Sequence, residues 1–458
     1  MDNNTFHHAL KIREDLCIGC SHCMNVCPTE AIRVKNGKSV LIAEKCIDCG
    51  ECFRVCPVSA IIIDHDDFNR IFDYKYRVAL IPSVFTGQFP DEISEKQIHS
   101  VMMELGFTHI YEVENGVEIL VDAINKYAEQ NPVQRPLISS FCPAVIRLIQ
   151  VKFPSLVDNI IRVKPPLDIS AGFIIREFAS SGIPAEEVGI FYVTPCAAKI
   201  AAIKDPVGES SSSISGVINM DFLFSKVLRQ VKQKKSDTCA IPTSGELTAR
   251  ATCWTLTNGE ASQLSGRCLA IDEIHNVIEF LEKIENEELN DIDYLELRAC
   301  DESCAGGVLT TSNRFLTADR LRNRATNRDK APVQKHPEGF RDISSEKQFL
   351  EDNISIDPIK PRSILMLDEN MAEAMKKMDR VNRIMMLLPM VDCGICGAPS
   401  CQALAQDIVQ NNAKIHQCIF IQKILEQKGE MSLEEGVSVM QDIWGFSKTN
   451  KYRDLKGI

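Results

Sequence analysis

Through the middle of the chain, short apolar runs rich in β-branched residues alternate with longer stretches of helical period. RVALIPSVF from Arg77 and GIFYVTPCAAK from Gly189 end in turn-type residues and predict buried strands. EISEKQIHSVMMELG and AIDEIHNVIEFLEKIEN space their apolar side chains three and four apart and predict amphipathic helices. This alternation predicts an α/β domain with parallel sheets, whose ligands gather at the carboxyl ends of strands. Cysteines fall at such ends: Cys142 in PLISSFCPAV, Cys196 after IFYVTP, and Cys300 and Cys304 after YLELRA. Residues 320–362 mix charge with Pro and Gly, and predict a connector over the surface with a short helix near SEKQFLED and a solvated Arg/Lys face. ENMAEAMKKMDRVNRIMMLLPMV then predicts a helix or helix pair whose methionines fill a core, and the tail after Cys418 is helical again, packing on its neighbour or on a partner.

Composition narrows the function classes. The 458 residues carry 51 Lys+Arg against 63 Asp+Glu, a net charge of −12, which excludes a simple phosphate-backbone binder and so nucleic acid as a partner. No run approaches 18 apolar residues, and MDNNTFHHALKIRED lacks the basic start and apolar stretch of a secretory signal, so the expected location is the cytoplasm, with no membrane span. In that reducing compartment 19 cysteines argue for metal ligation rather than disulfides. At about 150 residues per domain, the length suggests roughly three domains.

Residues 17–34, CIGCSHCMNVCPTEAIRV, and residues 46–63, CIDCGECFRVCPVSAIII, form an internal repeat with a spacing of 29. Each copy is C-x2-C-x2-C-x3-C-P, the run that ligates two 4Fe-4S clusters with the fourth cysteine serving the other cluster. Cys17, Cys20, Cys23 and Cys56 are assigned to one cluster, and Cys27, Cys46, Cys49 and Cys52 to the second. Zinc would use separated ligand pairs and leave the triplet plus Cys-Pro unexplained. His22 reads as solvent-facing, because the ligand positions are filled. The segment resembles bacterial two-cluster ferredoxins, which implies electron relay.

After it come SSFCPAV, TPCAAKIAA and ELRACDESCAGG, in the order of the three H-cluster motifs of iron-only (FeFe) hydrogenases. The resemblance covers about residues 10–320, including Asn313, Arg314 and Phe315. It implies that Cys142, Cys196, Cys300 and Cys304 hold a third cubane, with Cys304 also bridging to a diiron subsite that bears CO, CN⁻ and a bridging dithiolate. It also implies that Lys199 hydrogen-bonds a cyanide, and that Gly306 and Gly307 let the backbone pass close to the cluster.

Five positions depart from the family pattern. Phe141 stands where the family keeps the thiol that relays protons, and a phenyl ring neither donates nor accepts one. Ala202 replaces a Glu, Thr194 and Arg298 each replace a Met, and Ser303 replaces a Gly. The metal cage is kept while the proton path is cut, which predicts a slow enzyme. Glu246 and Glu260 are candidate replacement proton groups, with solvated or capping roles the commoner alternative. Cys239, Cys253 and Cys268 match no cluster position and read as small buried hydrophobes.

Near the C-terminus, Cys393, Cys396, Cys401 and Cys418 fall as C-x2-C-x4-C-x16-C, and four thiolates would suit either a 4Fe-4S cluster or zinc. The segment is similar to a helical 4Fe-4S module in redox proteins of anaerobes, which favours a fourth cubane. His416 is an alternate ligand or an exposed helix residue.

The expected architecture is a mixed α+β and α/β multidomain chain: a ferredoxin-like domain over 1–76, an H-cluster domain over 77–325, a linker over 326–365 and a helical 4Fe-4S module with its tail over 366–458. Together the pieces resemble the sensory branch of the FeFe-hydrogenase family, in members without a PAS domain. That implies H2 and protons as substrates, a ferredoxin or other redox protein as electron partner, a signalling kinase or phosphatase, and a homodimer by default. The alternatives are an ordinary ferredoxin-linked hydrogenase with another proton path, and a non-catalytic iron–sulfur relay lacking the diiron subsite.

Overall fold

The computed structural model describes residues 7–233, 247–289, 291–328, 340–362 and 371–449. They form two compact units, one built from both ends of the chain, up to Ile63 and from Arg362 onward, the other running from Asp64 to Pro361.

In the terminal unit, strands β1 (Leu10–Ile12), β2 (Ile32–Lys35), β3 (Lys38–Leu41) and β4 (Ile61–Ile63) make two antiparallel pairs, β1 with β4 and β2 with β3. The β2–β3 hairpin turns on Asn36-Gly37, whose φ angles of 50° and 72° are the left-handed pair that a two-residue hairpin turn requires. A side chain at Gly37 has no room, because its Cβ would lie 2.6 Å from the Trp444 carbonyl oxygen. The helix Leu433–Trp444 reaches this turn directly: Asn36 N–H donates to the Asp442 carbonyl at 2.7 Å and Gly37 N–H to that of Ile443 at 2.9 Å. Arg33 on β2 is buried and forks onto Asp407 of the helix Cys401–Val409, with Nε to Oδ2 at 2.6 Å and Nη2 to Oδ1 at 3.2 Å. Val381, Ile384 and Leu388 pack with Leu404 and Val409, and Met378 and Met385 fill beside them. Met375, Met386 and Met390 are exposed, so only part of the methionine stripe does the core filling expected of it.

The central unit holds β5 (Tyr76–Ile81), β6 (His109–Glu112), β7 (Leu137–Ile138), β8 (Val188–Thr194), β9 (Gly216–Asn219), β10 (Cys268–Ile271) and β11 (Tyr294–Leu297). They form a four-stranded sheet in the order β6-β5-β8-β9 and a three-stranded sheet in the order β10-β11-β7, parallel throughout as the strand–helix alternation predicts. All seven residues of β8 are buried, which is why the strand reads as a continuous apolar run rather than an alternating one. The two helices expected from periodicity form over Glu95–Glu104 and Ile274–Glu285.

The connector expected from residue 320 is corrected at both its ends. The helix Arg314–Arg328 continues through its start, burying Ala318, Leu321 and Ala325 in a largely polar stretch, too thin a stripe to stand out in the sequence. After the short helix Lys347–Asp352, Ile354 and Ile359 are buried and Lys164 N–H donates to the Ile354 carbonyl at 2.8 Å. Among the described residues no helix is long and apolar enough to cross a membrane.

Candidate metal centres

In the first half of the terminal unit, the 29-residue repeat folds the same way twice. Left-handed backbone occurs at Gly19, Ser21 and Glu30 and again at Asp48, Gly50 and Ser59. The N–H groups donated to sulfur repeat with it: Gly19 to Cys17 and Asp48 to Cys46 at 3.4 Å, Ala31 to Cys27 and Ala60 to Cys56 at 3.2 Å. Cys17, Cys20, Cys23 and Cys56 line one cavity, the grouping expected from the spacing. Cys27, Cys46, Cys49 and Cys52 are electrostatic neighbours, and burial pushes the thiols of the last three well up. Burial also opposes ionisation of Cys17, but N–H donation from Ser39 and Gly19, the Ser39 hydroxyl and nearby Lys38 outweigh it and lower this thiol. His22 is exposed, as expected.

In the second half, Cys393 is exposed while Cys401 and Cys418 are buried at the starts of their helices. Asp392 accepts the Cys401 N–H at 2.7 Å. Burial raises the Cys396 thiol to about 11, with Cys393 and Cys418 as charged neighbours. His416 is half-buried in the turn Ile415–Gln417, not on an exposed helix face.

Among the described residues the one trio of ligand atoms within 4.8 Å of each other is His8, Cys46 and Asp48, explained by Asp48 accepting from His8 Nδ1 at 2.8 Å. A single tetrahedral zinc with Zn–S of ~2.3 Å holds its thiolates roughly 3.8 Å apart. Among the described residues no three thiols lie within 4.8 Å of one another.

The central unit brings its motifs together at strand ends. After β7 the chain runs through Ser139, Ser140 and Phe141 to Cys142, which starts the helix Pro143–Lys152; after β8, Pro195 and Cys196 lead into the helix Ala197–Lys204; after β11, Arg298 and Ala299 lead to Cys300 and the turn Ser303–Gly306. Cys142, Cys196, Cys300 and Cys304 line one cavity of about 30 Å³ together with Phe141, Lys199, Arg298 and Ser303. Lys199 Nζ stands 3.9 Å from Cys304 Sγ. Burial alone would lower the Lys199 ammonium, but attraction to Cys304, Tyr192, Cys196 and Cys142 outweighs it and keeps the group charged; burial raises the Cys196 thiol to about 12.

The departures from the family pattern form a connected structure. The buried Phe141 ring contacts two cations, with its centroid 4.3 Å from Lys199 Nζ and 3.7 Å from Arg298 Cζ. Arg298 donates to Glu260 at 2.8 Å and to Glu296 at 3.3 Å; Glu260 also accepts from Ser139 Oγ at 2.8 Å and Tyr294 OH at 2.6 Å. Glu296 accepts the N–H groups of Asn258, Glu260 and Ala261. Glu260 is therefore neither solvated nor a simple helix cap, correcting the commoner expectation for it. Thr194 Oγ1 accepts the Cys196 N–H at 3.3 Å and donates to its carbonyl at 2.9 Å, fixing the cysteine's backbone. Ser303, at the family's glycine, has φ of +52°, a conformation that glycine adopts without strain. Gly306 and Gly307 are tight against backbone: a Cβ at Gly307 would lie 2.5 Å from the Pro195 carbonyl oxygen, and one at Gly306 would clash with that of Asp301. Asn313 caps its helix by accepting from Phe315 N–H at 3.0 Å, and Arg314 pairs with Asp301 at 2.6 Å while Phe315 is exposed.

A second cavity, of about 70 Å³, is lined by Phe141, Lys199 and Ala202 and by Glu114 and Asp168, two carboxyls that no motif marks. Burial raises both carboxyls to about 7. Cys253 and Cys268 are half-buried and outside the cages, less enclosed than expected; Cys239 and Glu246 lie outside the described residues.

Residues 75–225 match the family of the iron-only hydrogenase large subunit, C-terminal domain. This central region is an iron-only hydrogenase domain. Residues 9–57 match the 4Fe-4S dicluster domain and residues 388–420 an Fe-S cluster family, making the chain an iron–sulfur protein at both ends. It is 26% identical to iron hydrogenase 1 of Clostridium pasteurianum over 349 residues, covering 68% of this chain and 58% of that protein. It is 24% identical to the NADP-reducing hydrogenase subunit HndD of Solidesulfovibrio fructosivorans over 246 residues, covering 51% and 38%. The chain thus spans under two thirds of the length of either relative. A variant of an FeFe-hydrogenase from Chlamydomonas reinhardtii superposes with a TM-score of 0.48 and 13% identity, covering 65% of this chain and 96% of that one.

Proposed function

We propose that this chain, with its iron-only hydrogenase domain, is a low-turnover, sensory FeFe-hydrogenase. Cys142, Cys196, Cys300 and Cys304 would hold one 4Fe-4S cluster, Cys304 would also bind the diiron subsite with its CO, CN⁻ and bridging dithiolate, and the other three cysteine sets would hold three relay cubanes. When bound, the diiron group supplies the chemistry 2H⁺ + 2e⁻ ⇌ H2.

The observation that carries this reading is the enclosed Phe141 ring, in contact with Lys199 and Arg298 at the wall of a four-cysteine cavity. The ring excludes water from this wall and offers no group to move a proton. Lys199 remains charged and oriented at Cys304, ready to donate to an anionic ligand. General acid–base groups contribute about 10² to 10⁴-fold in rate, so their loss here slows turnover without abolishing binding. A protein that binds H2 and turns it over slowly suits reporting of hydrogen or redox state to a partner such as a kinase or phosphatase, with electrons exchanged through a ferredoxin or similar carrier. The net charge of −12 favours carriers with basic docking faces, and a cytoplasmic setting fits the reduced thiols.

Glu114 and Asp168 in the adjoining cavity support the second reading, an ordinary hydrogenase fed by another proton route. Turnover of the matured protein with a reduced artificial donor decides between them. A rate orders of magnitude below that of production enzymes supports the sensory reading, and a comparable rate overturns it.

A further inference from the structure

Two buried donors on the wall of the four-cysteine cavity have no acceptor among the described residues. Arg298 uses Nε and Nη2 on Glu296 and Glu260, but its Nη1 has no hydrogen-bond partner among the described residues, although the residue is 1% exposed. Ser303, 2% exposed, likewise leaves its Oγ without one. Both residues line the cavity with Cys142, Cys196, Cys300 and Cys304. A buried donor left unpaired costs about 1–3 kcal/mol, so two in one small cavity point to an acceptor that belongs there. The guanidinium is also held in orientation, by the Glu260 and Glu296 carboxylates and by the Phe141 ring, whose centroid is 3.7 Å from Cζ. Such a clamp leaves Nη1 little freedom to turn elsewhere.

We propose that Arg298 Nη1 and Ser303 Oγ form an acceptor-binding pair for the inorganic group seated among the four cysteines, donating to its sulfur atoms. This rests on the reading of the cavity as a cluster site. Arg298 and Ser303 are positioning residues here, and Phe141 orients Arg298. Donors to the sulfurs of an iron–sulfur cluster stabilise its reduced, more negative state and raise its reduction potential.

The test is an EPR-monitored redox titration of the full chain reconstituted with iron and sulfide, comparing wild type with Ser303→Ala, Arg298→Lys and Arg298→Met. Ser303→Ala keeps the Cβ and removes only the hydroxyl, so it leaves the fold least disturbed. One cluster signal should shift to lower potential in Ser303→Ala and further in Arg298→Met, with partial recovery in Arg298→Lys, while the other signals stay in place. If Arg298→Met fails to fold, Ser303→Ala and Arg298→Lys carry the decision. Unmoved potentials in both of those, or equal movement of every signal, would overturn the donor proposal. If wild type binds iron and sulfide no better than a Cys142→Ser/Cys300→Ser variant, the cluster reading of the cavity falls instead, and that is visible without any Arg298 or Ser303 variant.

Discussion

Replacing Phe141 by Cys tests structure and function at one position. The ring is 5% exposed and sits 4.3 Å and 3.7 Å from two cationic groups. Emptying a buried aromatic site costs about 3–5 kcal/mol, and each desolvated cation–π contact contributes about 1–2 kcal/mol. Some of that is recovered by the thiol and by relaxation of Lys199, leaving a net destabilisation of about 4 kcal/mol. At ~2–4 °C per kcal/mol for a unit of this size, the thermal midpoint should fall by roughly 10 °C. Turnover should move the other way, rising by about 10² to 10⁴-fold once a proton-relaying group stands at this wall. The assay is H2 evolution from a reduced artificial donor at matched iron content, read beside a circular-dichroism melt at low starting temperature. Adding Arg298→Met removes the cation that the ring accommodates, so the double variant should lose less stability than the two single losses added together, a coupling of about 1–2 kcal/mol. A folded Phe141→Cys variant with unchanged turnover would show that protons enter elsewhere; a midpoint lowered by less than about 2 °C would show that the ring carries none of the packing assigned to it.

Three further outcomes follow from the same geometry. In the cluster-free protein Ser303→Gly should stabilise by about 1 kcal/mol in thermal melts, because glycine adopts a φ of +52° without strain. Glu114 is fully buried, and its carboxyl is raised to about 7 by burial, offset in part by the Ser83 N–H that it accepts at 2.9 Å. Between pH 4.5 and 7 the folded state therefore binds the proton that the unfolded state has released, so wild-type stability falls as pH rises through this window; Glu114→Gln should flatten the fall by about 3 kcal/mol, seen in melts at pH 5 and pH 8. Asp407→Ala leaves the buried Arg33 guanidinium unpaired and should cost about 3–5 kcal/mol, with the N-terminal clusters bleaching faster in chelator than in wild type.

Much of the site was legible because its signals are local. The 29-residue repeat, the strand ends carrying cysteines and the departures at Phe141, Arg298 and Ser303 are all visible as residue types at fixed spacings. What joins them is not local. Nothing in the sequence around Glu260 marks it as the acceptor for an arginine 38 residues away, and its turn-like setting pointed to solvent instead. The pairing of Arg33 with Asp407, 374 residues apart, is likewise invisible, since each reads as one more surface charge until β2 and the helix Cys401–Val409 meet. Glu114 and Asp168 were missed for the same reason: a carboxyl acquires its unusual proton affinity from burial, which composition does not report. The helix Arg314–Arg328 escaped because three small or aliphatic residues suffice to seat it.

The central claim is that the four-cysteine cavity holds a diiron centre beside its cubane, and infrared spectroscopy of the matured protein tests it most directly. Sharp bands from iron-bound CO and CN⁻ that are lost in Cys304→Ser, with the CN⁻ bands displaced in Lys199→Ala, are the predicted result. Full cubane content after maturation with no such bands would contradict the account and leave an iron–sulfur relay in its place.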